Sequence, residues 1–204
     1  MLFRELDSSF PLMERTRLLP NLDTGLEAPD PKITNLPHLR KVVLELEAFI
    51  TDFDGVHTNN LAMIGPDGTE YVQVNRSDGL GYQLLSGIVE NRLIISAEAS
   101  DIITGRANKL GSDCIVGTID KARALYEWAN SKDVDLKKSI YIGNDLNDIE
   151  AMKLCGVRIA VADAVDTVLD FCPLQTKNLG GHGAVREVID WVRAVRQSSR
   201  AETV

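Results

Sequence analysis

The chain is short of cysteine, aromatic residues and positive charge. Its three cysteines, Cys114, Cys155 and Cys172, lie far apart with no Cys-x-x-Cys pair, which excludes a disulfide framework or a zinc motif and leaves buried, reduced thiols as the expectation. Lys and Arg number 22 against 30 Asp and Glu, a formal charge of −8, so the basic surface that nucleic acid or an anionic membrane requires is missing. No apolar run approaches the roughly 18 residues of a membrane span, and the opening Met-Leu-Phe-Arg-Glu-Leu-Asp carries acids where a secretory signal needs basic and then apolar residues. A soluble, cytoplasmic protein is expected. The histidines His38, His57 and His182 are too scattered for a metal site, and the sequence gives His57 no role.

What is present is the ordinary material of one globular domain: 204 residues, 44% hydrophobic and 25% charged. Residues 1–40 hold five of the seven prolines and show no sustained period of 2 or 3.6, so they read as a loosely ordered extension that packs on the core or on a partner. A domain over 41–197 follows, with a short tail over 198–204. Apolar runs near 46–51, 92–96, 113–116, 139–142 and 157–161 alternate with helical stretches near 79–90, 100–110, 119–131 and 147–155. That alternation predicts an α/β fold, a Rossmann-like three-layer sandwich around a parallel sheet. Gly111 and Gly156 fall where left-handed helix caps are wanted. A last helix carries Val185, Val188, Ile189, Val192 and Val195 on one stripe. Residues 60–75 break the rhythm with two strand-like runs around Gly65-Pro66-Asp67-Gly68, a β-hairpin positioned to flap over whatever precedes it.

Chemistry gathers where the apolar runs end, the edge of an open α/β sheet at which ligands bind. The first run stops at Asp52-Phe53-Asp54-Gly55, a candidate nucleophile with a proton donor beside it. The second stops at Ser96, whose hydroxyl can donate to an anion, and the third leads through Gly117 and Thr118 to Lys121. The fourth ends in Gly143-Asn144-Asp145-Leu146-Asn147-Asp148, a burst of hard oxygen donors suited to magnesium. A calcium loop fails in both acidic segments: counted from Asp52, position 6 is Val56 and position 12 is Met63, and counted from Asp145, position 6 is Glu150. A response-regulator receiver also puts an Asp at a strand end, but normally on its third strand.

Taken in order, Asp52-x-Asp54, Ser96, Lys121 and Gly143-Asn144-Asp145-x-x-Asp148 resemble the four motifs of the haloacid dehalogenase superfamily of phosphohydrolases, over about residues 45–195. The resemblance implies that Asp52 attacks phosphorus to form an aspartyl-phosphate and that Asp54 serves as acid and then base. Ser96 and Lys121 would hold the phosphoryl group. Mg2+ would sit among Asp52, Asp54, Asn144, Asp145 and Asp148, with Asn144 or Asp145 the direct ligand and Asp148 in support. Asn144 stands where the superfamily commonly has Asp.

Only the hairpin is inserted among these motifs, so no cap domain is expected. This matches a capless subgroup that forms homotetramers whose neighbouring subunits supply the lid, the phosphatases of 3-deoxy-octulosonate 8-phosphate and 3-deoxy-nononate 9-phosphate. Asp54-Gly55-Val56-x-Thr58, Ser77-Asp78-Gly79-Leu80-Gly81 and Gly180-Gly181-His182-Gly183-Ala184-Val185-Arg186-Glu187 look like its signatures. The resemblance puts substrate contacts at Arg76, Ser77, Glu98 and Lys109. Ser96-Ala97-Glu98 in place of Thr-Gly-Arg, with Lys109 three turns on, favours the nine-carbon, sialic-type branch. The eight-carbon phosphatase is the alternative, and a weakly active assembly domain like those fused to acylneuraminate cytidylyltransferases is a third reading.

Overall fold

Buried apolar runs that end in turn residues form the centre of the molecule. A computed structural model describes residues 16–17 and 37–201. The strands are β1 (Thr16–Arg17), β2 (Ala48–Thr51), β3 (Met63–Ile64), β4 (Glu70–Tyr71), β5 (Asn91–Ile95), β6 (Asp113–Ile115), β7 (Ser139–Gly143), β8 (Val157–Ala160) and β9 (Leu174–Gln175). The helices are α1 (Pro37–Leu44), α2 (Arg76–Leu85), α3 (Asp101–Leu110), α4 (Lys121–Ser131), α5 (Ile149–Leu154), α6 (Asp166–Phe171) and α7 (Ala184–Ala201).

Seven strands make one parallel sheet in the order β1-β9-β8-β7-β2-β5-β6. From β2 the chain runs outward through β5 and β6, then returns to the other side of β2 to lay down β7, β8 and β9. The order therefore reverses between β2 and β7, the switch point at which a crevice opens beyond the strand ends. Every residue of β2 and β7 is buried, which is why both read as continuous apolar runs with no alternation.

Helices α1 and α2 each pack against α7, and α4 packs with α5. The stripe expected on α7 is buried, joined by Trp191. Gly81 permits the close crossing of α2 and α7, because a Cβ there would lie 3.0 Å from Ile189 Cδ1 and 3.1 Å from Arg186 Cδ. Asn75 starts α2 earlier than its apolar pattern predicts, its side chain accepting from the Ser77 amide at 2.8 Å. Gly111 is the left-handed cap expected, at φ 65°. Gly156 is not: its amide donates to Leu136 O at 2.9 Å, and a Cβ would strike Lys137 O. Close backbone approach, and not helix termination, requires that glycine.

Of the proline-rich extension, only 16–17 and 37–40 lie among the described residues; β1 adds a sheet edge beside β9, and α1 starts before residue 41 with Leu39 buried. At the other end α7 continues to Ala201, past the tail expected from 198. The hairpin β3–β4 forms around Gly65–Thr69 as expected. Cys155 and Cys172 are buried, Cys114 is half-buried, and all three are free. Among the described residues no helix is long and apolar enough to cross a membrane.

Candidate active site

Asp52 follows β2 at the switch point and is 4% exposed. Its amide continues the ladder to Ile142 O at 2.9 Å, and its Oδ1 accepts from the Phe53 amide at 2.7 Å and from Lys121 Nζ at 2.8 Å. Burial pushes the carboxyl up to about 7, Asp148 adds to the rise, and Lys121 opposes it. The next residues form a tight turn in which the amides of Val56, His57 and Thr58 all point at Phe53 O, 2.8 to 3.3 Å away. Gly55 makes the turn possible, with φ 80° and no room for a Cβ against the Asn144 amide.

Asp54 is half-buried on this turn. Burial lifts its carboxyl above the ordinary range and the charge of Glu98 adds to that, while Lys121 and a hydrogen bond with the Ser96 hydroxyl pull it back. A carboxyl raised in this way is suited to donating a proton and then accepting one. Ser96, after β5, is 2% exposed and accepts from the Glu98 amide at 3.1 Å.

Lys121 opens α4 but reaches back under the sheet edge, 1% exposed. Its Nζ lies 2.8 Å from Asp148 Oδ1 as well as from Asp52. Burial alone would lower its pKa; the charges of Asp52 and Asp148 outweigh that and raise it. Asp148 is fully buried and saturated: Oδ1 also accepts from Tyr141 OH at 2.9 Å, and Oδ2 accepts from the amides of Asn144 and Asp145 at 2.9 and 3.2 Å. It acts as an anchor, holding Lys121 and the loop after β7.

The Asn144 carboxamide lies over Asp52 Oδ2 and the Asp54 carbonyl oxygen. With its NH2 inward it donates to both, at 3.1 and 3.0 Å. With its oxygen inward, three oxygens from a carboxylate, a peptide and an amide converge on one point, the hard donor set that magnesium takes. Among the described residues no three His, Cys, Asp or Glu side chains form a metal cluster, so a cation here would depend on the carbonyl and the amide. The Asp145 side chain is engaged locally: its Oδ1 accepts from the Leu146 amide at 2.7 Å and caps a short 3-10 turn.

Arg76 and Lys109 line a groove of about 750 Å3 between α2 and α3, with Arg92 and Arg106 and no carboxylate among the described residues of its wall. α3 starts at the catalytic edge and runs away from it, so Lys109, eight residues beyond Asp101, is carried about 12 Å along the helix. It does not meet Glu98 in one site. Ser77 is tied into the α2 cap, its hydroxyl donating to Asn75 Oδ1 at 2.7 Å.

Sequence reasoning missed Tyr141, which is hidden in an apolar strand, and the buttress behind the catalytic turn. Gly181 N donates to Val56 O at 2.9 Å, Gly180 N donates to Asp163 Oδ1 at 2.8 Å, and a Cβ on Gly180 would strike Gly55 O. Glu187 holds this loop by accepting from the amides of Lys177 and Asn178, each at 2.8 Å. The paired glycines were the available signal.

Residues 94–189 match the model of the haloacid dehalogenase-like hydrolases. The chain is 34% identical over 148 residues to the 3-deoxy-D-manno-octulosonate 8-phosphate phosphatase of Yersinia pestis, covering 72% of this chain and 79% of that one. Among solved structures, the Moraxella catarrhalis phosphatase of the same name, in complex with magnesium, phosphate and its sugar acid, superposes with a TM-score of 0.75 at 30% identity, over 83% of this chain and 98% of that one. A hydrolase of this superfamily from Streptomyces avermitilis gives a TM-score of 0.71 at 35% identity, over 74% of this chain and 86% of that one. With an acid pair at the switch point, a buried lysine between two carboxylates and this degree of identity, the chain belongs to the haloacid dehalogenase-like hydrolases, among their phosphatases.

Proposed function

We propose that this chain is a cytoplasmic, magnesium-dependent phosphatase of a sugar-acid phosphate, and that its substrate is 3-deoxy-D-manno-octulosonate 8-phosphate. The observation that carries the chemistry is the Lys121 ammonium, 2.8 Å from the carboxylates of both Asp52 and Asp148, beside three converging oxygens. An Asp52 oxygen attacks phosphorus, and the bond to the sugar oxygen breaks as Asp54 protonates that oxygen. Asp54 then takes a proton from the water that attacks the aspartyl-phosphate, releasing inorganic phosphate and restoring Asp52. Lys121 and Ser96 neutralise and orient the transferring group. Asp52, the Asp54 carbonyl and Asn144 would hold magnesium, which when bound would supply further charge neutralisation.

The eight-carbon substrate is supported by the names of the Yersinia and Moraxella relatives. The nine-carbon reading drawn from Glu98 and Lys109 finds no such support, and those two side chains do not share a site within one chain. Lys109, with Arg76 and Arg106, would instead meet substrate held by a neighbouring copy, where an anionic sugar acid needs cations. A homotetramer lidded in this way would also cover Leu61, Met63, Ile64 and Tyr71, which the hairpin leaves 61 to 72% exposed. An assembly role without catalysis gives no reason for an intact Asp52, Asp54, Ser96 and Lys121.

The deciding experiment measures magnesium-dependent phosphate release from the eight- and nine-carbon sugar-acid phosphates, with Asp52→Asn as the control. Faster turnover of the eight-carbon ester and a silent Asp52→Asn variant are expected. An active Asp52→Asn enzyme overturns the mechanism, and preference for the nine-carbon ester overturns the substrate.

A further inference from the structure

His57 is a titratable side chain of the catalytic turn that the chemistry above leaves unused. It is fully buried, and its Nε2 lies 2.9 Å from the hydroxyl of Thr51, the residue immediately before the nucleophile. Its ring stacks on Phe53 at 5.6 Å between centroids, with 22° between planes, and meets Tyr82 of α2 at 5.9 Å. Its own amide donates to Phe53 O at 2.8 Å. One residue therefore touches the strand that delivers Asp52, the turn that delivers Asp54, and the helix packed behind both.

This contact pattern is not that of an acid or base. The imidazole is walled off by Phe53, Thr51 and Tyr82, and burial, aided by the charge of Arg106, pushes its pKa down to about 3. It stays neutral wherever the enzyme works. Its Nδ1 has no partner. A buried orphan atom opposes folding, so the geometry it accompanies must be held by the surrounding packing.

We infer that His57 is a positioning residue, which bridges Thr51 to Tyr82 and so fixes the Asp52–Thr58 turn in register with Ser96 and Asn144. The inference rests on the phosphatase reading for its catalytic consequence but not for its structural one. Displacing the turn by about 1 Å is enough to lose roughly two orders of magnitude in rate. The bond to Thr51 is the element that can be removed from either side.

The test compares His57→Leu, Thr51→Val and the double variant, assayed with magnesium on an aryl phosphate and followed by amide hydrogen exchange. Each single variant is expected to lose about 10- to 100-fold in kcat with KM nearly unchanged. The double should be no worse than either single, because both remove the same bond. Thr51→Ser, which keeps the hydroxyl, should retain the wild-type rate, and the kcat against pH curve of His57→Leu should keep its shape. Exchange at Val56, His57 and Thr58 should accelerate while the β5 and β7 amides stay protected.

Fully additive losses, an unchanged kcat in a folded His57→Leu protein, or loss of one limb of its pH profile each overturn the inference. Should His57→Leu fail to fold, Thr51→Val against Thr51→Ser carries the comparison. If the wild type hydrolyses no phosphate ester, the phosphatase reading falls while the exchange data still decide whether His57 fixes the turn.

Discussion

Lys121 Nζ stands 2.8 Å from Asp52 Oδ1 and 2.8 Å from Asp148 Oδ1, so one ammonium compensates two carboxylates that water barely reaches. When Asp52 is ionised the three buried charges sum to one negative charge, and the Tyr141 hydroxyl and two loop amides stabilise the carboxylate of Asp148. In the mechanism proposed above the arrangement is both structural and catalytic, because the same ammonium that favours the ionised form of Asp52 would also face an incoming phosphate.

Replacing Lys121 with Met should therefore damage both properties. An uncompensated buried carboxylate costs about 3–5 kcal/mol, and Asp52 would shift further toward its protonated, non-nucleophilic form. Denaturant unfolding is expected to show that loss, and activity should fall by on the order of 10²–10³. The double variant Lys121→Met/Asp148→Asn should recover much of the stability and little of the activity. Equal recovery of both would mean that Lys121 acts on catalysis only through the fold.

Asn144 tests the cation site independently of turnover. Changing it to Asp places a second carboxylate where the amide now sits, 3.1 Å from Asp52 Oδ2. Without magnesium the two anions repel, and with it they gain a charged ligand. Thermal unfolding should show Asn144→Asp less stable than wild type in chelator and shifted upward more strongly by magnesium. The extra shift follows RT ln(1 + [Mg]/Kd), so about tenfold tighter binding adds about 1.4 kcal/mol at saturating metal. A smaller magnesium response than wild type would remove Asn144 from the site.

The strand ends were legible because β2 and β7 are buried throughout and β5 over its last three residues, and each is followed by a polar residue. Asp52, Ser96 and Asn144 could be placed on one edge from that pattern alone. β1 and β9, two residues each, are too short to carry any period and are held by pairing within the sheet. Lys109 was correctly set on a helix, but which end of α3 faces the crevice depends on the crossover and not on spacing. Gly156 looked like a cap because the close approach of Lys137 O leaves no mark near it in sequence. Tyr141 differs from its apolar neighbours only by a hydroxyl, and its partner Asp148 is seven residues on.

The glycine buttress makes a steric prediction. A Cβ on Gly180 would strike Gly55 O and lie 2.6 Å from Gly55 C, so Gly180→Ala must displace the catalytic turn or the 177–183 loop. Overpacking of this kind costs about 1–3 kcal/mol, and the rate should fall further than stability alone explains. Gly87, where a Cβ would meet nothing within 4 Å, is the control, with Gly87→Ala expected within about 0.5 kcal/mol of wild type. Comparable effects at both positions would refute the buttress.

Asp78 gives a pH dependence whose sign can be worked out. It is fully buried in the first turn of α2; its Oδ1 accepts from the Arg186 amide at 2.9 Å, while Oδ2 has no partner. Burial raises its pKa from 3.8 to about 6, against the opposing pull of the Arg186 amide and of the Arg106 and Arg186 charges. Since the folded value lies above the unfolded one, the folded protein binds this proton more tightly. Its contribution to stability is full below pH 3.8 and is lost as pH rises through about 6. At pH 7.5 the ionised group opposes folding by about 2–3 kcal/mol relative to its protonated form. Asp78→Asn keeps the acceptor for the Arg186 amide and removes the charge, so it should be more stable than wild type at pH 7.5. The advantage should shrink steadily as urea unfolding is repeated down to pH 4.5. An Asn variant less stable than wild type at pH 7.5 would show instead that Arg106 and Arg186 more than offset the burial of the charge.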